Sequence, residues 1–309
     1  MTLTVEDWEE LLNSIDEGLC TPFIGPEAYT LGVPAIKNIA AEWAEKHQYP
    51  LEDSHELAKV AQFLAIDKGD NMYPKKDISR ELKGIQPPNF SLDEYRNTPY
   101  AVLADLNLPI YITTNYDKFM EAALKSRGKD PVSEFCRWNE DLYRYVTKAG
   151  LISIFDKEKE YTPSSERPLV YHLYGVYDQA STMVLTEKDY IDFVISLNKG
   201  DEKISLPTAV RTALATTPLL FVGYRLEDMS FRVIFQGVTS FLGVKRPYIS
   251  IAVQLPPVFS EEKKKKAQEY LTQYTKNMFE INVYWGNTDE FVNELREQLD
   301  NFRNARSKQ

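Results

Sequence analysis

Residues 110–117 decide the fold and read Ile110-Tyr111-Ile112-Thr113-Thr114-Asn115-Tyr116-Asp117. An apolar, strand-like run passes directly into polar residues, and a segment with helical spacing follows. This order is typical of a parallel α/β sheet. Ligands of such sheets bind at the carboxyl ends of the strands, so Asn115 and Asp117 are candidate site residues.

Further apolar runs alternate with helical patterns along the chain. Strands are predicted at 21–24, 108–112, 168–173, 218–222, 247–253 and 279–285. Helices are predicted near the start, with the capping box Thr4 and Asp7, and at 35–46, 186–197 and 289–304. The helix at 186–197 has a second capping box, Thr186 with Asp189. This alternation predicts a Rossmann-like, mainly parallel sheet flanked by helices.

The chain has no internal repeat and no linker rich in Gly, Pro or Ser. We therefore expect one domain over residues 1–309. A helical, polar insertion is predicted at about 47–98, and a charged, irregular insertion at about 137–166.

The formal net charge of -10 argues against nucleic-acid binding. An acidic chain repels a phosphate backbone unless its basic residues collect on one face. The longest basic run, residues 263–266, follows two glutamates and is interpreted as a solvated helix face. We expect no direct nucleic-acid contact.

No apolar run approaches the ~18 residues of a membrane span, and the first residues lack a signal-peptide pattern. The sequence predicts a cytoplasmic protein without membrane contact. Cys20 and Cys136 are the two cysteines. By themselves they build neither a disulfide framework nor a four-cysteine zinc site, so no metal is expected.

The first candidate constellation is the loop Gly25-Pro26-Glu27, between a predicted strand and a helix. A glycine at this position can admit a phosphate to helix amides. The motif is weak, because a second glycine is missing and Glu27 places a negative charge where a phosphate would arrive. An ordinary tight turn is the alternative.

The second constellation is the polar end of the opening stretch. Asn115 and Asp117 can orient a polar ligand, while the hydroxyls of Thr113 and Thr114 can bind ribose or phosphate. The alternative is that Asn115 or Asp117 only caps the following helix.

Two further strand ends add candidates. His172 is the one histidine in a strand-like context, and its near-neutral titration suits a general base, although such a histidine is more often a core residue. Gly223, followed by Tyr224, ends another apolar run and would let an adenosine group approach the backbone.

Together these motifs resemble the sirtuin superfamily, specifically the bacterial sirtuin-like domains of antiphage defence systems. The resemblance covers roughly residues 10 to 255. The motifs that carry it are 112–117, 171–175, 184–190 and 221–228.

The resemblance implies a Rossmann-like fold that binds NAD. It places Asn115 and His172 at the nicotinamide ribose and Asp117 near the carboxamide. Gly25, Thr113 and Gly223 match positions that contact the rest of the dinucleotide.

The chain also departs from the family. Deacetylating sirtuins carry a zinc module held by four cysteines, which two distant cysteines cannot supply. Their Gly-Ile-Pro-Asp-Phe-Arg stretch is represented here by Gly32-Val33-Pro34 alone. A protein deacylase is therefore disfavoured, and Pro26-Glu27 is expected to affect the tightness of NAD binding.

The expected function is hydrolysis of NAD⁺, as a substrate, to nicotinamide and ADP-ribose. Since unrestrained NAD depletion would kill the host, control by homo-oligomerisation or a separate partner is expected. The family implies a HerA-type DNA-translocating ATPase as one such partner. The alternative is a non-catalytic scaffold that binds NAD or ADP-ribose and organises a nuclease or ATPase.

Overall fold

The computed structural model describes residues 3–28, 36–198, 206–225, 250–255 and 260–307. Its strands form one seven-stranded sheet in the order β3-β4-β2-β1-β5-β6-β7. Every neighbouring pair is parallel. The strands are β1 Thr21–Ile24, β2 Ile110–Thr113, β3 Val132–Phe135, β4 Leu169–His172, β5 Leu219–Val222, β6 Ser250–Gln254 and β7 Ile281–Trp285.

Helices connect the strands and cover both faces of the sheet. Within the described ranges they are α1 Val5–Asp16, α2 Ile36–His47, α3 Leu57–Asp67, α4 Tyr73–Lys83, α5 Pro99–Asp105, α6 Phe119–Ser126, α7 Glu140–Lys148, α8 Ile154–Lys157, α9 Glu187–Asn198, α10 Thr208–Thr216, α11 Glu261–Phe279 and α12 Thr288–Arg306. The predicted Rossmann-like α/β fold is confirmed. Its treatment as one domain stays a prediction.

Successive side chains of the central strands point to opposite faces of the sheet, as the pleat requires. Phe23, Ile112 and Phe221 pack in one core cluster. Ile24 and Tyr111 pack in the other. Because both faces are covered, β1, β2, β4 and β5 are buried along their whole length, which explains their continuous apolar sequences.

The strand order changes direction at β1. The chain leaves β1 for β2 on one side, whereas β5 pairs with β1 on the other side and leads on to β6. The carboxyl ends of β1 and β5 therefore border the topological switch point. Crevices at such points hold ligands in open α/β sheets.

Three predicted helix starts are found with their caps. Thr4 and Asp7 form the capping box of α1. Thr186 and Asp189 exchange hydrogen bonds at the start of α9, at 2.9 and 3.2 Å. The predicted helix at 289–304 is α12, which has its own box of Asn287 and Glu290.

The sequence prediction missed β3 and was wrong about part of 137–166. β3 lies at the sheet edge and is only partly buried, so its sequence lacks a long apolar run. Residues 137–166, predicted to be irregular, contain α7 and α8. In α7 the two buried residues, Leu142 and Val146, are four positions apart, which gives a helical stripe too short to stand out among charges.

The insertion predicted at 47–98 contains α3 and α4, which supports its helical character. Lys263, Lys265 and Lys266 of the basic run are exposed on α11, as interpreted from the sequence. Across the described ranges, every helix is too short or too polar to traverse a bilayer.

Candidate active site

Asn115 lies just beyond β2 and is held by hydrogen bonds on both sides. Its backbone N–H donates to Thr113 Oγ1 at 3.0 Å, and the Thr113 hydroxyl donates to the Ile24 carbonyl at 3.2 Å. Its side-chain Nδ2 donates to the Gly25 carbonyl at 3.0 Å and to the Tyr100 hydroxyl at 2.9 Å. The loop after β2 is thereby fixed against the end of β1.

The other side-chain atom of Asn115 is an open acceptor. Oδ1 has no hydrogen-bond partner among the described residues, although Asn115 is only 1% exposed. A buried acceptor left in this state costs about 1–3 kcal/mol. Native proteins satisfy such atoms with water or a ligand. Asn115 Oδ1 is therefore available to a water molecule or to another hydrogen-bond donor.

His172 ends β4 and is completely buried. Its Nδ1 lies 3.2 Å from the backbone carbonyl oxygen of Asn115, and its Nε2 lies 2.8 Å from Glu121 Oε1. Burial by itself lowers the pKa of His172, but Glu121, the Asn115 carbonyl and Asp117 outweigh burial and raise it above the usual value. His172 and Asn115 are therefore in direct contact, with both imidazole nitrogens engaged.

Glu121 is a site residue that the sequence analysis missed. It lies on α6 and is buried. Burial favours a higher pKa for Glu121, yet the charge and hydrogen bond of His172 lower it below its ordinary value. The signal was a single carboxylate within the otherwise apolar run 119–124, four residues after Asp117.

Tyr100 of α5 was also missed. Its hydroxyl accepts from Asn115 Nδ2, and its pKa is raised well above the usual value by burial and by the charge of Asp117. Tyr100 therefore stays neutral at ordinary pH and orients the Asn115 amide. Nothing in the sequence near Tyr100 distinguished it from a core aromatic residue.

Asp117 is buried beside the start of α6. Its Oδ1 accepts from the backbone N–H of Phe119 at 2.8 Å, whereas the cap position of α6 is Lys118, which makes no side-chain cap hydrogen bond. Asp117 also lines a small cavity of about 70 Å³ that includes Ile85 and Tyr177. It influences the pKa of His172 through its charge.

Thr114 and Tyr224 join the ends of β2 and β5. The Tyr224 hydroxyl donates to the Ile24 carbonyl at 3.1 Å, and its oxygen lies 2.7 Å from Thr114 Oγ1. Since the phenol has one proton, Thr114 is the donor in this pair. Burial raises the pKa of Tyr224, so this link stays protonated.

Gly25 and Gly223 bring the loops after β1 and β5 into backbone contact. A Cβ added to Gly25 would lie 2.5 Å from the Gly223 carbonyl oxygen, and one added to Gly223 would lie 2.2 Å from the Ala28 nitrogen. Gly223 also has a φ of +81°, which L residues with side chains rarely adopt. Both glycines therefore allow the loops after β1 and β5 to pack closely against each other.

Pro26 and Glu27 lie in a short 3₁₀ turn, Pro26–Ala28. The Glu27 backbone N–H donates to the Gly223 carbonyl at 2.9 Å. Its carboxylate accepts from Arg225 Nε at 2.7 Å, in a partly exposed ion pair. Arg225, in the loop after β5, thus neutralises the charge of Glu27. The sequence analysis had considered this charge unfavourable for a phosphate.

Two parts of the predicted motifs, 32–34 and 226–228, lie outside the described residues. Within the described part, no three His, Cys, Asp or Glu side chains are grouped so as to hold a metal ion. Cys20 and Cys136 are buried free thiols, and burial raises the pKa of each to about 12.

A further cavity among the described residues lies elsewhere. It measures about 440 Å³ and is bordered by α5, α12 and residues 90–96. Its lining includes Leu106, close to the amino end of β2, so it opens at the edge of the sheet opposite Asn115. Of the four arginines in its lining, Arg127 and Arg296 are paired with Asp105.

These features define a Rossmann-like α/β protein with a buried polar cluster at the carboxyl edge of its sheet. Residues 109–277, more than half of the chain, match the family model described as SIR2-like domain. The chain belongs to this family. The resemblance drawn from the sequence motifs is therefore confirmed at the level of the family.

Two curated relatives extend the comparison. The chain is 22% identical over 236 residues to a protein named NAD(+) hydrolase ThsA from Cytobacillus dafuensis, covering 76% of this chain and 41% of the relative. It is 21% identical over 248 residues to Defense-associated sirtuin 2 from Bacillus subtilis, covering 76% of this chain and 20% of that relative. The chain thus spans less than half the length of either relative.

Proposed function

We propose that this chain is an NAD⁺ hydrolase of a bacterial antiviral defence system, producing nicotinamide and ADP-ribose. The similarity to a protein named as an NAD(+) hydrolase and to a defence-associated sirtuin supports the proposal. The observation that carries it is the buried acceptor Asn115 Oδ1, which lacks a partner among the described residues at the carboxyl edge of the sheet.

In the proposed reaction, the bond between ribose C1′ and the pyridinium nitrogen breaks. Its electron pair stays on the nitrogen, which leaves as neutral nicotinamide and needs no proton. A water oxygen forms the new bond to C1′, and a proton of that water passes to a base. The barrier lies in the positively charged, oxocarbenium-like ribose, so positioning and electrostatic stabilisation dominate catalysis.

Asn115 suits the central role in this reaction. Its Nδ2 is fixed by Gly25 and Tyr100, which leaves Oδ1 to accept from the attacking water or a ribose hydroxyl. The oxygen end of the amide dipole also favours positive charge on the ribose. Because the amide is already oriented, no reorganisation is needed as charge develops.

His172 and Asp117 complete the proposed site. His172 accepts the water proton, directly or through a ribose hydroxyl, and Asp117 binds the nicotinamide carboxamide. Gly25, Pro26, Glu27, Thr113, Thr114, Gly223 and Tyr224 are the proposed contacts to the remaining dinucleotide. Their positions at the ends of β1, β2 and β5 support this assignment.

The test is nicotinamide release from NAD⁺ by the purified chain, alone and with the product of the neighbouring gene. Asn115→Ala and His172→Ala should each remove most of the turnover, while Asn304→Ala, an exposed asparagine on α12, should not. Full turnover in both site variants would contradict the assignment.

A non-catalytic scaffold is the second candidate, and one observation favours it. The loops after β1 and β5 contact each other and are joined by the Glu27–Arg225 ion pair where a pyrophosphate would lie. Calorimetry with NAD⁺ and with ADP-ribose, read beside turnover, separates the candidates. A scaffold would bind one of them, or neither, and release no nicotinamide.

Control of such a hydrolase is proposed to come from assembly. We expect a cytoplasmic homo-oligomer or a complex with a separate partner such as a HerA-type ATPase, which would make any DNA contact for this acidic chain. Size-exclusion chromatography after co-expression with the neighbouring gene product tests this. Monomers in every mixture would count against it.

A further inference from the structure

Both ring nitrogens of His172 face hydrogen-bond acceptors. At Nδ1 the partner is the backbone carbonyl of Asn115, and at Nε2 it is the carboxyl group of Glu121. A carbonyl can only accept, so Nδ1 must carry a proton. A neutral imidazole has a single N–H, so in neutral His172 that proton lies on Nδ1 and Nε2 carries none. The 2.8 Å contact between Nε2 and Glu121 Oε1 then requires one more proton between these two atoms.

We propose that Glu121 is a positioning residue that keeps this extra proton on the His172–Glu121 pair, so that His172 becomes a base only after the pair has lost it. The inference deepens the proposed function and rests on it for its catalytic consequence. While the pair holds the extra proton, which we call the loaded state, it has no capacity to accept the water proton. After the loss of that proton, neutral His172 beside ionised Glu121 has the capacity to take up the water proton.

The groups around His172 favour the loaded state. Glu121 and Asp117 are negatively charged, the Asn115 carbonyl presents its oxygen, and all three act to raise the pKa of His172. Tyr100, which also feels the charges of Asp117 and Glu121, is neutral because its own pKa is raised well above normal.

The same pair also supports Asn115. With Nδ1 protonated, His172 donates to the Asn115 carbonyl and ties the end of β4 to the loop after β2. Glu121 therefore acts on two things through one imidazole: the charge of His172 and the position of the Asn115 backbone. A merely structural glutamate would influence only the second.

Nuclear magnetic resonance of the ring nitrogens tests the protonation directly and does not depend on NAD hydrolysis. The chain has three histidines, of which His55 is exposed and serves as an internal reference. In the full chain labelled with ¹⁵N-histidine, we expect both His172 nitrogens to be protonated at pH 7. An unprotonated His172 nitrogen at pH 7 would overturn the proposal.

Glu121→Gln provides the second test. The glutamine amide can donate to Nε2, so His172 should become neutral with its proton on Nδ1, and its titration should move to lower pH. Glu81→Gln is the matched control, because Glu81 also accepts a side-chain hydrogen bond, from Trp43, but has no contact with His172. An unchanged His172 spectrum in Glu121→Gln would also overturn the proposal.

The pH profile of nicotinamide release supplies the catalytic readout. In the wild-type chain turnover should increase as pH rises through the elevated pKa of His172, and in Glu121→Gln this limb should move to lower pH. If the chain releases no nicotinamide, the proposed function fails while the spectra still decide the proton inference. Active enzyme with the same acidic limb in both forms would contradict the inference alone.

Discussion

The two halves of the carboxyl edge differ in how their polar groups are satisfied. At the ends of β2 and β4, Asn115, His172 and Glu121 form a buried network in which two acceptors, Asn115 Oδ1 and Glu121 Oε2, lack a hydrogen-bond partner among the described residues. At the ends of β1 and β5, the loops contact each other and the partly exposed charges of Glu27 and Arg225 pair. The first half therefore has unsatisfied buried acceptors, whereas the polar groups of the second half bind each other.

The energies of the two halves differ accordingly. A partly exposed ion pair contributes only about 0.2–1 kcal/mol, so the link between Glu27 and Arg225 is weak. Removing one partner from a buried charged network costs several times more, about 3–5 kcal/mol. The contacts at the ends of β2 and β4 therefore cost more to break than the ion pair at the ends of β1 and β5.

The largest expected effect on turnover comes from removing the acceptor Asn115 Oδ1. Asn115→Ala should lower the rate of nicotinamide release by on the order of 10²- to 10³-fold, as for loss of one oriented transition-state dipole. Single-turnover kinetics with saturating NAD⁺ would measure it. Thermal unfolding should verify that the variant is folded. A folded variant with wild-type rate would remove the distinction between the two halves.

The second effect tests the contact between the β1 and β5 loops. Gly223→Ala combines the strain of a φ of +81° with a Cβ placed 2.2 Å from the Ala28 nitrogen. The left-handed conformation alone costs about 1–2 kcal/mol, and overpacking adds about 1–3 kcal/mol. Urea unfolding should therefore show a loss of about 2–5 kcal/mol, the sum of these two terms.

Gly128→Ala is the matched control for that variant. Gly128 has a φ of +75° but nothing within 4 Å of an added Cβ, so only the backbone strain should appear. Equal losses in the two variants would mean that the loops do not contact each other in solution.

The sequence predicted the central strands well because burial on both faces gives continuous apolar runs. The runs that predicted β2, β4 and β5 mark strands buried at every position. β3 escaped because a partly covered edge strand needs no such run. The ends of the strands also indicated Asn115 and His172, since strand order alone brings carboxyl ends to one edge.

The partners of these residues were beyond the sequence. Glu121 meets His172 across 51 positions, and Tyr100 meets Asn115 across 15. Such contacts depend on how α5 and α6 pack on the sheet, which no local pattern encodes. Glu27 and Arg225, whose charges neutralise each other, are 198 positions apart in the sequence.

The contribution of the His172–Glu121 pair to the stability of the fold should depend on pH. His172 has a raised pKa, so its contribution is complete below its unfolded value of 6.5 and disappears as pH rises through the folded value. Glu121 has a lowered pKa, so its contribution is complete above 4.5 and disappears as pH falls through the folded value. The pair therefore stabilises most between those two unfolded values.

Urea unfolding of wild type and Glu121→Gln across pH 5 to 9 measures this dependence. The wild type should exceed the variant by about 1–3 kcal/mol at its best, the size expected for a charged hydrogen bond. The excess should decrease above the window. A constant difference at all pH values would show that the pair is not ionised in the native state.

The smallest effect should come from a substitution of Glu27, in the loop after β1. Glu27→Gln removes the charge that competes with a phosphate for Arg225 while preserving the shape of the turn. Since the pair is worth about 0.2–1 kcal/mol, NAD⁺ should bind up to about 5-fold more tightly. The rate at saturation should not change, because Asn115 and His172 are untouched. Calorimetry and the KM for NAD⁺ both measure the shift.

Glu140→Gln, which removes a comparable exposed pair with Arg144 on α7, is the control and should leave both quantities unchanged. Weaker binding in Glu27→Gln would mean that Glu27 supports the ligand instead of excluding it, and the phosphate side would then be as preformed as the ribose side.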